Sequence, residues 1–430
     1  MRLIYSILFV LLLPLIVLRM LWRSRRAPAY RRRLGERLGC FPAPPQDRPL
    51  IWVHAVSLGE TLAARPLIER LLQELPDHRI AITTTTPTGS AQVQSLFVRR
   101  FGERIFHVYA PWDTPGAVRR CLDRLRPRLL LIMETELWPN LLHHCAAQGC
   151  PVMLANARLS ARSATGYSRF PGVTRSMLGQ LSLIAAQSDA SAERFRELGA
   201  PADRVRVCGS VKFDLSIDPQ LRETVATLRR EWQLEQRQVL IAASTHEGEE
   251  ALMLQAAAAL REAHPSLLLI LVPRHPERFD EIAALCERDG WPLVRRTSGE
   301  AVDGSTALLL VDTIGELLLF YGLADVAIVG GSFDAQGSRG GHNPLEPAAW
   351  GCAVVCGPSM FNFAEITEQL LAADALTQAE SAAALEPKLQ VLFTDADQRR
   401  RMGAAASRIV EENRGAVDRL AAGALELLSA

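Results

Sequence analysis

The sequence predicts an α/β protein made of two doubly wound domains that follow an apolar helix. Short apolar runs without polar alternation, such as Leu50–Val56 and Gln238–Ser244, recur along the chain, and each leads into a segment with helical periodicity. Such runs are typical of parallel strands that helices cover on both faces. The length of 430 residues exceeds one ordinary hydrophobic core, which favours two domains.

The first element is an uninterrupted apolar stretch, Leu3–Leu18, which a short segment with Arg19 extends to Trp22. Roughly 20 apolar residues are needed to span a bilayer as a helix. Seven arginines and a single acid, Glu36, follow this stretch: Arg23, Arg25, Arg26, Arg31, Arg32, Arg33 and Arg37. A cleaved signal peptide carries its charge before the apolar run, and basic flanks remain in the cytoplasm. We therefore predict an uncleaved membrane anchor with the rest of the chain in the cytosol; the alternative is an interfacial helix that does not cross the membrane.

Composition excludes several other classes of protein. The net charge is +1, so nothing in the overall charge indicates a nucleic-acid partner. The eight cysteines lack metal-like grouping, and no G-x-G-x-x-G follows the first strand. A Walker motif is also absent from the sequence. We accordingly predict no metal site and no bound cofactor.

The predicted organisation has four segments. Residues 1–22 form the anchor, and residues 23–212 form the first Rossmann-like domain. The polar, proline-containing stretch Phe213–Gln220 is the best candidate for a linker. The second Rossmann-like domain covers 213–400, and a C-terminal helix within 401–430 packs back across the domains. Because ligands of open α/β sheets bind beyond the carboxyl ends of the strands, we expect both domains to direct these ends at a shared cleft.

Two positions that could bind a phosphate follow strands of the second domain. Ser244 and Thr245 can cap the helix that follows their strand, whose free amides then form an anion site. Arg274 ends the next strand with a planar guanidinium suited to phosphate. Together these residues suggest a nucleotide phosphate, whereas each feature alone is equally compatible with an ordinary helix start or a surface arginine.

The stretch GGHNPLEPAAWG carries the strongest ligand signal of the second domain. Gly340 and Gly341 allow close approach of the backbone to a ligand, and Asn343 can cap a helix. Glu346 is suited to accept hydrogen bonds from two ribose hydroxyls. Asn-Pro-x-Glu is also good helix-start chemistry. The ligand interpretation is favoured because His342 and the glycines contribute nothing to capping.

Three glutamates are candidates for catalysis in the first domain. Glu60 stands three residues after Ser57, which is the spacing of a capping box. The box follows the first strand, where a glutamate could instead deprotonate an acceptor hydroxyl. Glu134 and Glu136 end another strand. Acids opposite a nucleotide site suit glycosyl transfer, with one base and one residue that orients the base or the acceptor.

An ordered set of motifs resembles the 3-deoxy-D-manno-octulosonic acid (Kdo) transferases of lipopolysaccharide assembly. The set comprises HAVSLGE, METELWPN, NARLS, GSVKFD, ASTHEGEE, VPRHPERF, GGHNPLEPAAWG and GPSMFNF, and it extends from the anchor to the C-terminal helix. The resemblance implies a GT-B fold, CMP-Kdo as donor and a lipid A precursor as acceptor. It also implies that Glu60 is the catalytic base and that a second essential acid is Glu134 or Glu136. The CMP moiety would contact Arg274, the Ser244–Thr245 turn, Asn343 and Glu346.

The expected reaction is an inverting transfer at the cytoplasmic face of the inner membrane, without a metal, because a helix N-terminus and one arginine can stabilise the single phosphate of CMP. One departure is the loop between Ser332 and Gly340, which is a few residues longer than the family's usual spacing. One alternative is another membrane-surface GT-B enzyme that uses a UDP-sugar and a lipid-linked acceptor. A second alternative, of a different class, is a membrane-tethered nucleotide-binding scaffold without catalysis.

Overall fold

The computed structural model describes residues 2–25, 27–334 and 338–429. Arg26 of the basic segment and residues 335–337 of the longer loop lie outside the described residues. The chain forms two compact units. Unit 1 comprises Met1–Asp214 and Gly415–Ala430, and unit 2 comprises Leu215–Arg414.

Unit 1 contains a seven-stranded parallel sheet with the order β3-β2-β1-β4-β5-β6-β7. Its strands are β1 (Leu50–His54), β2 (Arg79–Thr84), β3 (Ile105–Tyr109), β4 (Leu129–Met133), β5 (Val152–Ala157), β6 (Leu183–Ala186) and β7 (Val205–Val207). Its first ten helices are α1 (Arg2–Arg23), α2 (Leu34–Arg37), α3 (Leu58–Glu74), α4 (Pro87–Val93), α5 (Arg99–Phe101), α6 (Pro115–Leu125), α7 (Pro139–Ala147), α8 (Ala161–Ser168), α9 (Pro171–Leu178) and α10 (Asp189–Glu197).

Unit 2 contains a second seven-stranded parallel sheet with the order β10-β11-β9-β8-β12-β13-β14. Its strands are β8 (Val239–Thr245), β9 (Leu268–Pro273), β10 (Leu293–Arg295), β11 (Leu308–Leu310), β12 (Val326–Val329), β13 (Ala353–Cys356) and β14 (Leu376–Gln378). Its helices are α11 (Pro219–Glu231), α12 (Glu249–Ala263), α13 (Phe279–Arg288), α14 (Leu317–Leu323), α15 (Leu345–Ala349), α16 (Ala364–Ala372), α17 (Leu385–Thr394) and α18 (Ala396–Glu412).

Each sheet separates two hydrophobic cores. Along β1, Ile51 and Val53 belong to one core of unit 1, whereas Leu50 and Trp52 belong to the other. Every residue of this strand is buried. Strands that are buried on both faces have no polar face to alternate with, so they read as continuous apolar runs. The predicted pair of doubly wound domains and the N-terminal apolar helix are confirmed.

The strand orders define a switch point in each sheet. The chain leaves β1 in one direction toward β2 and returns to β1 from the other side with β4, so the switch lies between β1 and β4. In unit 2, β8 pairs with β9 and β12, and the switch lies between β8 and β12. Ligands of doubly wound sheets bind beyond the strand ends at such points. The candidate sites are therefore expected after these four strands.

The end of the chain returns to unit 1. The segment 401–430, for which we predict a single helix, contains the second part of α18 and all of α19 (Ala416–Ser429). The two helices are separated at Gly415, whose φ of 85° interrupts the helix. The carboxylate of Asp214 accepts hydrogen bonds from the backbone N–H groups of Gly415 (2.5 Å) and Val417 (2.5 Å) at the start of α19. Helix α18 packs on β13 and α15 of unit 2, whereas α19 packs on α3 of unit 1.

Close packing of α18 leads to a prediction about stability. A Cβ atom at Gly403 would overlap the carbonyl oxygen of Gly351, which is backbone and cannot rotate away. We expect Gly403→Ala to destabilise unit 2 by about 1–3 kcal/mol, the usual cost of overpacking, measured by calorimetric unfolding. The matched control is Gly304→Ala, because a Cβ atom there meets nothing within 4 Å. Equal unfolding midpoints for the two variants would contradict the close approach of α18.

Candidate active site

The first strand of unit 1, β1, is followed by a loop whose residues donate hydrogen bonds to Glu60. Ser57 is the N-cap of α3, and its hydroxyl accepts a hydrogen bond from the Glu60 N–H (3.2 Å). The Glu60 carboxylate accepts hydrogen bonds from the Val56 N–H (2.8 Å) and from the Ser57 hydroxyl (2.8 Å). One half of the predicted capping box is thus formed, since Ser57 caps the Glu60 N–H, whereas the Glu60 carboxylate bonds the N–H of Val56, one residue before the N-cap, and the Ser57 hydroxyl. Burial raises the pKa of Glu60 to about 7, although these hydrogen bonds lower it. The charges of Glu136 and Glu134 also raise this pKa.

Glu134 and Glu136 follow β4, the strand across the switch point from β1. Glu134 has a left-handed backbone with φ of 57°, and its N–H donates to the carbonyl of Ala155 (3.0 Å). A non-glycine residue in this region stores strain of about 1–3 kcal/mol and persists only where its surroundings fix it. The Glu136 carboxylate accepts a hydrogen bond from the Trp138 indole N–H (2.9 Å). The three predicted glutamates therefore form one acidic cluster in unit 1.

Two further polar residues border this cluster and were missed in the sequence. His54 ends β1, and its Nδ1 lies 2.9 Å from the hydroxyl of Thr83, while its ring lies 4.5 Å from the indole of Trp138. Burial lowers the pKa of His54 to about 3, so the imidazole is neutral. Asn156 lies in the irregular last part of β5 with φ of 53°, and its buried Nδ2 has no partner among the residues that the structure describes. Both residues lie within the motifs HAVSLGE and NARLS, which were the available signal.

Unit 2 has a cleft of about 330 Å³ beyond its switch point. Of the eight residues predicted to bind the donor, five line this cleft: Ser244, Arg274, His342, Asn343 and Glu346. The rest of its lining includes the apolar and aromatic side chains of Phe279, Leu317 and Tyr321. Such a mixture of apolar walls with a few polar groups is typical of a small-molecule site.

The predicted capping of α12 by Ser244 or Thr245 is wrong. Helix α12 begins at Glu249 and its N-cap is Gly248, because β8 continues to Thr245. Ser244 occupies a bulge in β8 with φ of 58°, and Thr245 pairs with Pro273 of β9. The Thr245 side chain is buried and does not line the cleft.

Glu249 organises the loops of this site and was also missed. Its carboxylate is nearly fully buried and accepts a hydrogen bond from the His246 N–H (2.9 Å). The same carboxylate accepts hydrogen bonds from the N–H groups of Gly331 (2.7 Å) and Phe333 (2.9 Å), in the loop after β12. One side chain therefore fixes the turn after β8 and the loop after β12 together.

Gly340 and Gly341 are required by packing within unit 2. Both have positive φ, 73° and 70°. A Cβ atom would overlap the ring of Phe361 at Gly340 and the sulfur of Met360 at Gly341. Neither glycine lines the cleft. Packing against Phe361 and Met360, and not the expected close approach to a ligand, therefore explains why glycine stands at both positions.

Asn343 and Glu346 form a connected pair at the start of α15. The Asn343 side-chain oxygen accepts a hydrogen bond from the Leu345 N–H (3.0 Å), and its amide donates to the Glu346 carboxylate (3.2 Å). Burial raises the pKa of Glu346, and the hydrogen bond from Asn343 opposes this increase. One carboxylate oxygen of Glu346 remains to accept further hydrogen bonds in the cleft.

His342 is paired with His246 at the edge of the cleft. The two Nε2 atoms lie 2.9 Å apart, and the planes of the two rings make an angle of 5°. Burial lowers the pKa of each imidazole to about 4, and the positive charge of Arg274 opposes their protonation as well. Since one imidazole must donate to the other, the neutral pair holds a single proton between its two Nε2 atoms.

Arg274 ends β9 and is solvent-exposed at the cleft. Its backbone N–H donates to the Thr245 carbonyl (3.0 Å), which fixes where the side chain leaves the sheet. Within residues 2–25, 27–334 and 338–429, no group of three or more His, Cys, Asp and Glu side chains could hold a metal ion. In this cleft the Arg274 guanidinium is a cation that an anion can meet, and the neutral imidazole of His342 is a further hydrogen-bonding group.

Comparison with known proteins identifies the family. The family model described as 3-deoxy-D-manno-octulosonic-acid transferase (kdotransferase) matches residues 32–215. The 3-deoxy-D-manno-octulosonic acid transferase of Haemophilus influenzae is 41% identical over 97% of this chain and 97% of its own length. The enzyme of the same name from Bordetella pertussis is 41% identical over 95% of each chain.

Solved structures agree with this fold. A glycosyltransferase from Rickettsia africae has a TM-score of 0.54 at 13% identity, over 90% of this chain and 98% of its own. At this identity the likeness shows the fold alone. The relatives of high identity extend over nearly the whole chain, so both units are included in the match. The chain therefore belongs to the Kdo transferases, a family of GT-B glycosyltransferases, as the motifs of its sequence predicted.

Proposed function

We propose that this protein transfers Kdo from CMP-Kdo to a glucosamine hydroxyl of a lipid A precursor, with Glu60 as general base. The observation that carries the proposal is the acidic cluster of Glu60, Glu134 and Glu136 at the switch point of unit 1, in which the pKa of Glu60 is raised to about 7. A base whose pKa lies near the working pH combines an available carboxylate with sufficient proton affinity.

In the proposed reaction the acceptor hydroxyl oxygen attacks the anomeric carbon of Kdo. The bond between this carbon and the phosphate oxygen breaks, and CMP leaves with the electron pair. Glu60 takes the proton of the hydroxyl, and attack on the face opposite the leaving group inverts the centre. Glu134 and Glu136 keep the pKa of the base high through their charges. One of them also orients the acceptor.

The donor binds in the unit 2 cleft of about 330 Å³. Glu346 accepts hydrogen bonds from the ribose hydroxyls, supported by the amide of Asn343. Arg274 binds the phosphate, since a guanidinium matches a phosphate with paired donors. The imidazole of His342 lies in the same lining and supplies a further donor. The walls formed by Leu317 and Tyr321 cover the apolar faces of the nucleoside.

We propose that the transfer needs no metal and no cofactor. The leaving group carries a single phosphate, and Arg274 and the His246–His342 pair are positive or protonatable groups that can stabilise its charge. The donor is consumed as a substrate, and the step contains no redox chemistry.

The proposed location is the cytoplasmic face of the bacterial inner membrane. Helix α1 is long and apolar enough for a membrane helix, by length and composition. Exposed arginines follow it: Arg23, Arg25, Arg31 and Arg32. Each basic side chain near an anionic leaflet contributes about 1 kcal/mol to binding. The same arginines attract an acceptor whose sugars carry phosphate.

The alternative of a UDP-sugar donor is disfavoured by membership in the Kdo transferases, and so is the alternative of a scaffold without catalysis. A transfer assay with freshly generated CMP-Kdo and a tetraacyl lipid A precursor, read by mass, tests the proposal directly. Product that grows by Kdo masses supports it. Protection of unit 2 by uridine nucleotides but not by CMP would overturn the choice of donor.

Glu60 serves both as a cap and as the proposed base, and two variants separate these roles. Glu60→Gln keeps the loop intact, because its carbonyl can accept from Val56 N–H and its amide can donate to the Ser57 hydroxyl. We expect about 1 kcal/mol or less of destabilisation and a loss of transfer of about 10²–10⁴-fold. Thermal unfolding and the mass-resolved transfer assay are the measurements.

The matched control is Ser57→Ala, which removes the N-cap oxygen but leaves the carboxylate. We expect it to cost about 1 kcal/mol of stability while most of the transfer rate remains at pH 8.5. If Glu60→Gln unfolds at least as readily as Ser57→Ala and both lose transfer equally, Glu60 is a cap and not the base.

The pKa of Glu60 predicts the pH dependence of transfer. The base acts as a carboxylate, so activity is present above the pKa and is lost as the pH falls through about 7. We expect kcat/KM to be about tenfold higher at pH 8 than at pH 6. Ser57→Ala removes a hydrogen bond that lowers this pKa, so its profile is expected to move to higher pH. A flat profile, or one that Ser57→Ala leaves unmoved, would argue against Glu60.

The His246–His342 pair predicts that CMP binding takes up protons. Both imidazoles are neutral at pH 7.5, because burial holds their pKa at about 4. A bound phosphate dianion raises the pKa of an adjacent imidazole. We expect calorimetric titrations in two buffers at pH 7.5, above the second phosphate pKa of about 6, to reveal fractional proton uptake. Cytidine is expected to show none, and His342→Gln, which removes the imidazole that lines the cleft, to remove the uptake seen with CMP; equal uptake in that variant would contradict the prediction.

A further inference from the structure

The start of α1 is fastened to unit 1. The Arg2 guanidinium donates a hydrogen bond to the side-chain oxygen of Asn140 (3.0 Å), and the Ser6 hydroxyl donates to the same oxygen (3.1 Å). The Tyr5 hydroxyl interacts electrostatically with the carboxylate of Asp113. Ser6 and Asn140 are both buried, so the hydrogen bond between them is shielded from solvent.

The attachment point belongs to the interior of unit 1. Asp113 is 2% exposed and accepts hydrogen bonds from the N–H groups of Asn140 (3.0 Å) and Leu141 (2.8 Å) at the start of α7. Tyr5 and Phe9 line a cavity of about 290 Å³ together with residues of this region, including Arg37, Trp112 and Trp138. The first two turns of α1 therefore share polar and apolar contacts with the body of unit 1.

The other end of α1 contacts the short segment that follows it, and this segment leads back to the body of unit 1. The Arg23 guanidinium lies 5.2 Å from the centre of the Tyr30 ring. Ten residues after Arg23, Arg33 donates hydrogen bonds to the Ser90 hydroxyl (3.2 Å) and to the His107 carbonyl (2.9 Å). The chain is thus back in unit 1 shortly after the helix ends.

These two attachments are incompatible with a helix that crosses the bilayer. Helix α1 has 22 residues, so it is about 33 Å long, close to the hydrocarbon thickness of about 30 Å. A spanning helix holds its ends on opposite sides of the membrane, whereas both ends of α1 contact the same unit. We infer that α1 lies in the plane of one leaflet, fastened to the body of unit 1 by its first turns and followed by a segment that returns to the same body, and that it does not cross the membrane.

The exposure along α1 matches this arrangement. Residues three or four apart, on one face, are sheltered: Tyr5, Ser6, Phe9, Leu13, Ile16 and Met20. The opposite face is apolar and more than half exposed: Leu3, Ile7, Leu11, Leu15, Leu18 and Trp22. A helix in the plane of a leaflet buries one apolar face in the acyl chains. The exposed arginines that follow α1 complement anionic headgroups, so the occupant of this face is an anionic lipid leaflet.

The inference rests on the proposed membrane location but not on the proposed reaction. Its test uses the full chain in bacterial inner membranes, with a short polar peptide tag placed ahead of Met1. We expect protease to remove the tag in inverted vesicles, which expose the cytoplasmic face, and to leave it intact in spheroplasts. A tag placed after the end of α19, in unit 1, is the control for the cytoplasmic face.

Cross-linking tests the attachment itself. Ser6→Cys with Asn140→Cys is expected to form a disulfide in the membrane, since the two side chains are within hydrogen-bonding distance. Ile7→Cys with Asn140→Cys is the matched control, because Ile7 is on the exposed face. Removal of the tag only in spheroplasts, recovery of the protein in the soluble fraction, or equal cross-linking by the two pairs would overturn the inference. Kdo transfer is not a readout here, so failure of either proposal is recognised separately.

Discussion

In each unit a buried carboxylate accepts hydrogen bonds from backbone N–H groups in the loop that follows the first strand of the parallel sheet, and the structure of the candidate sites depends on these bonds. Where such a strand ends, the ladder stops and the N–H groups of the following loop lose their partners. Glu60 binds the loop after β1 in unit 1, and Glu249 binds the turn after β8 in unit 2. Glu249 additionally holds Gly331 and Phe333. Without these carboxylates the buried donors would be unsatisfied, at a cost of about 1–3 kcal/mol each, and neither site would keep its loops in place.

Three of the seven non-glycine residues with positive φ in the described part of the chain lie at strand ends near the two candidate sites. Glu134, Asn156 and Ser244 are non-glycine residues with left-handed backbone, and they end or interrupt β4, β5 and β8. At Ser244 the cause is visible, because the bulge brings its carbonyl oxygen against Gly330, where a Cβ atom would not fit. Strained residues persist where surrounding contacts fix them, and they concentrate at functional sites. In unit 2 the strained Ser244 directly precedes the turn that Glu249 holds, whereas in unit 1 the strained residues lie at the end of β4, which is next to the strand whose loop Glu60 holds, and in β5.

Features that depend on local periodicity, such as the strands, could be predicted from the sequence. Features that depend on contacts between distant segments, such as the start of α12, could not. Continuous apolar runs predicted strands covered on both faces, and the spacing of Ser57 and Glu60 predicted the half of the capping box that forms. The start of α12 was misplaced because the pairing of Thr245 with Pro273 extends β8, and that pairing depends on β9. Two partners of Glu249, Gly331 and Phe333, are more than 80 residues away in the chain, and no local pattern encodes them. The motif resemblance supplied the site residues that periodicity could not.

The proposed double role of Glu60, as a cap and as the base, is compatible with these constraints. Hydrogen bonds from the loop lower the pKa of its carboxylate, whereas burial and the neighbouring acids raise it, and the balance lies near 7. A carboxylate without the loop contacts would be free to move, and a base gains little from a suitable pKa if its position is not fixed. A carboxylate without the burial would titrate like an ordinary surface acid and be a weak base. Capping and catalysis therefore do not compete at this residue, because the contacts that make Glu60 structural also hold it where the proposed proton transfer occurs.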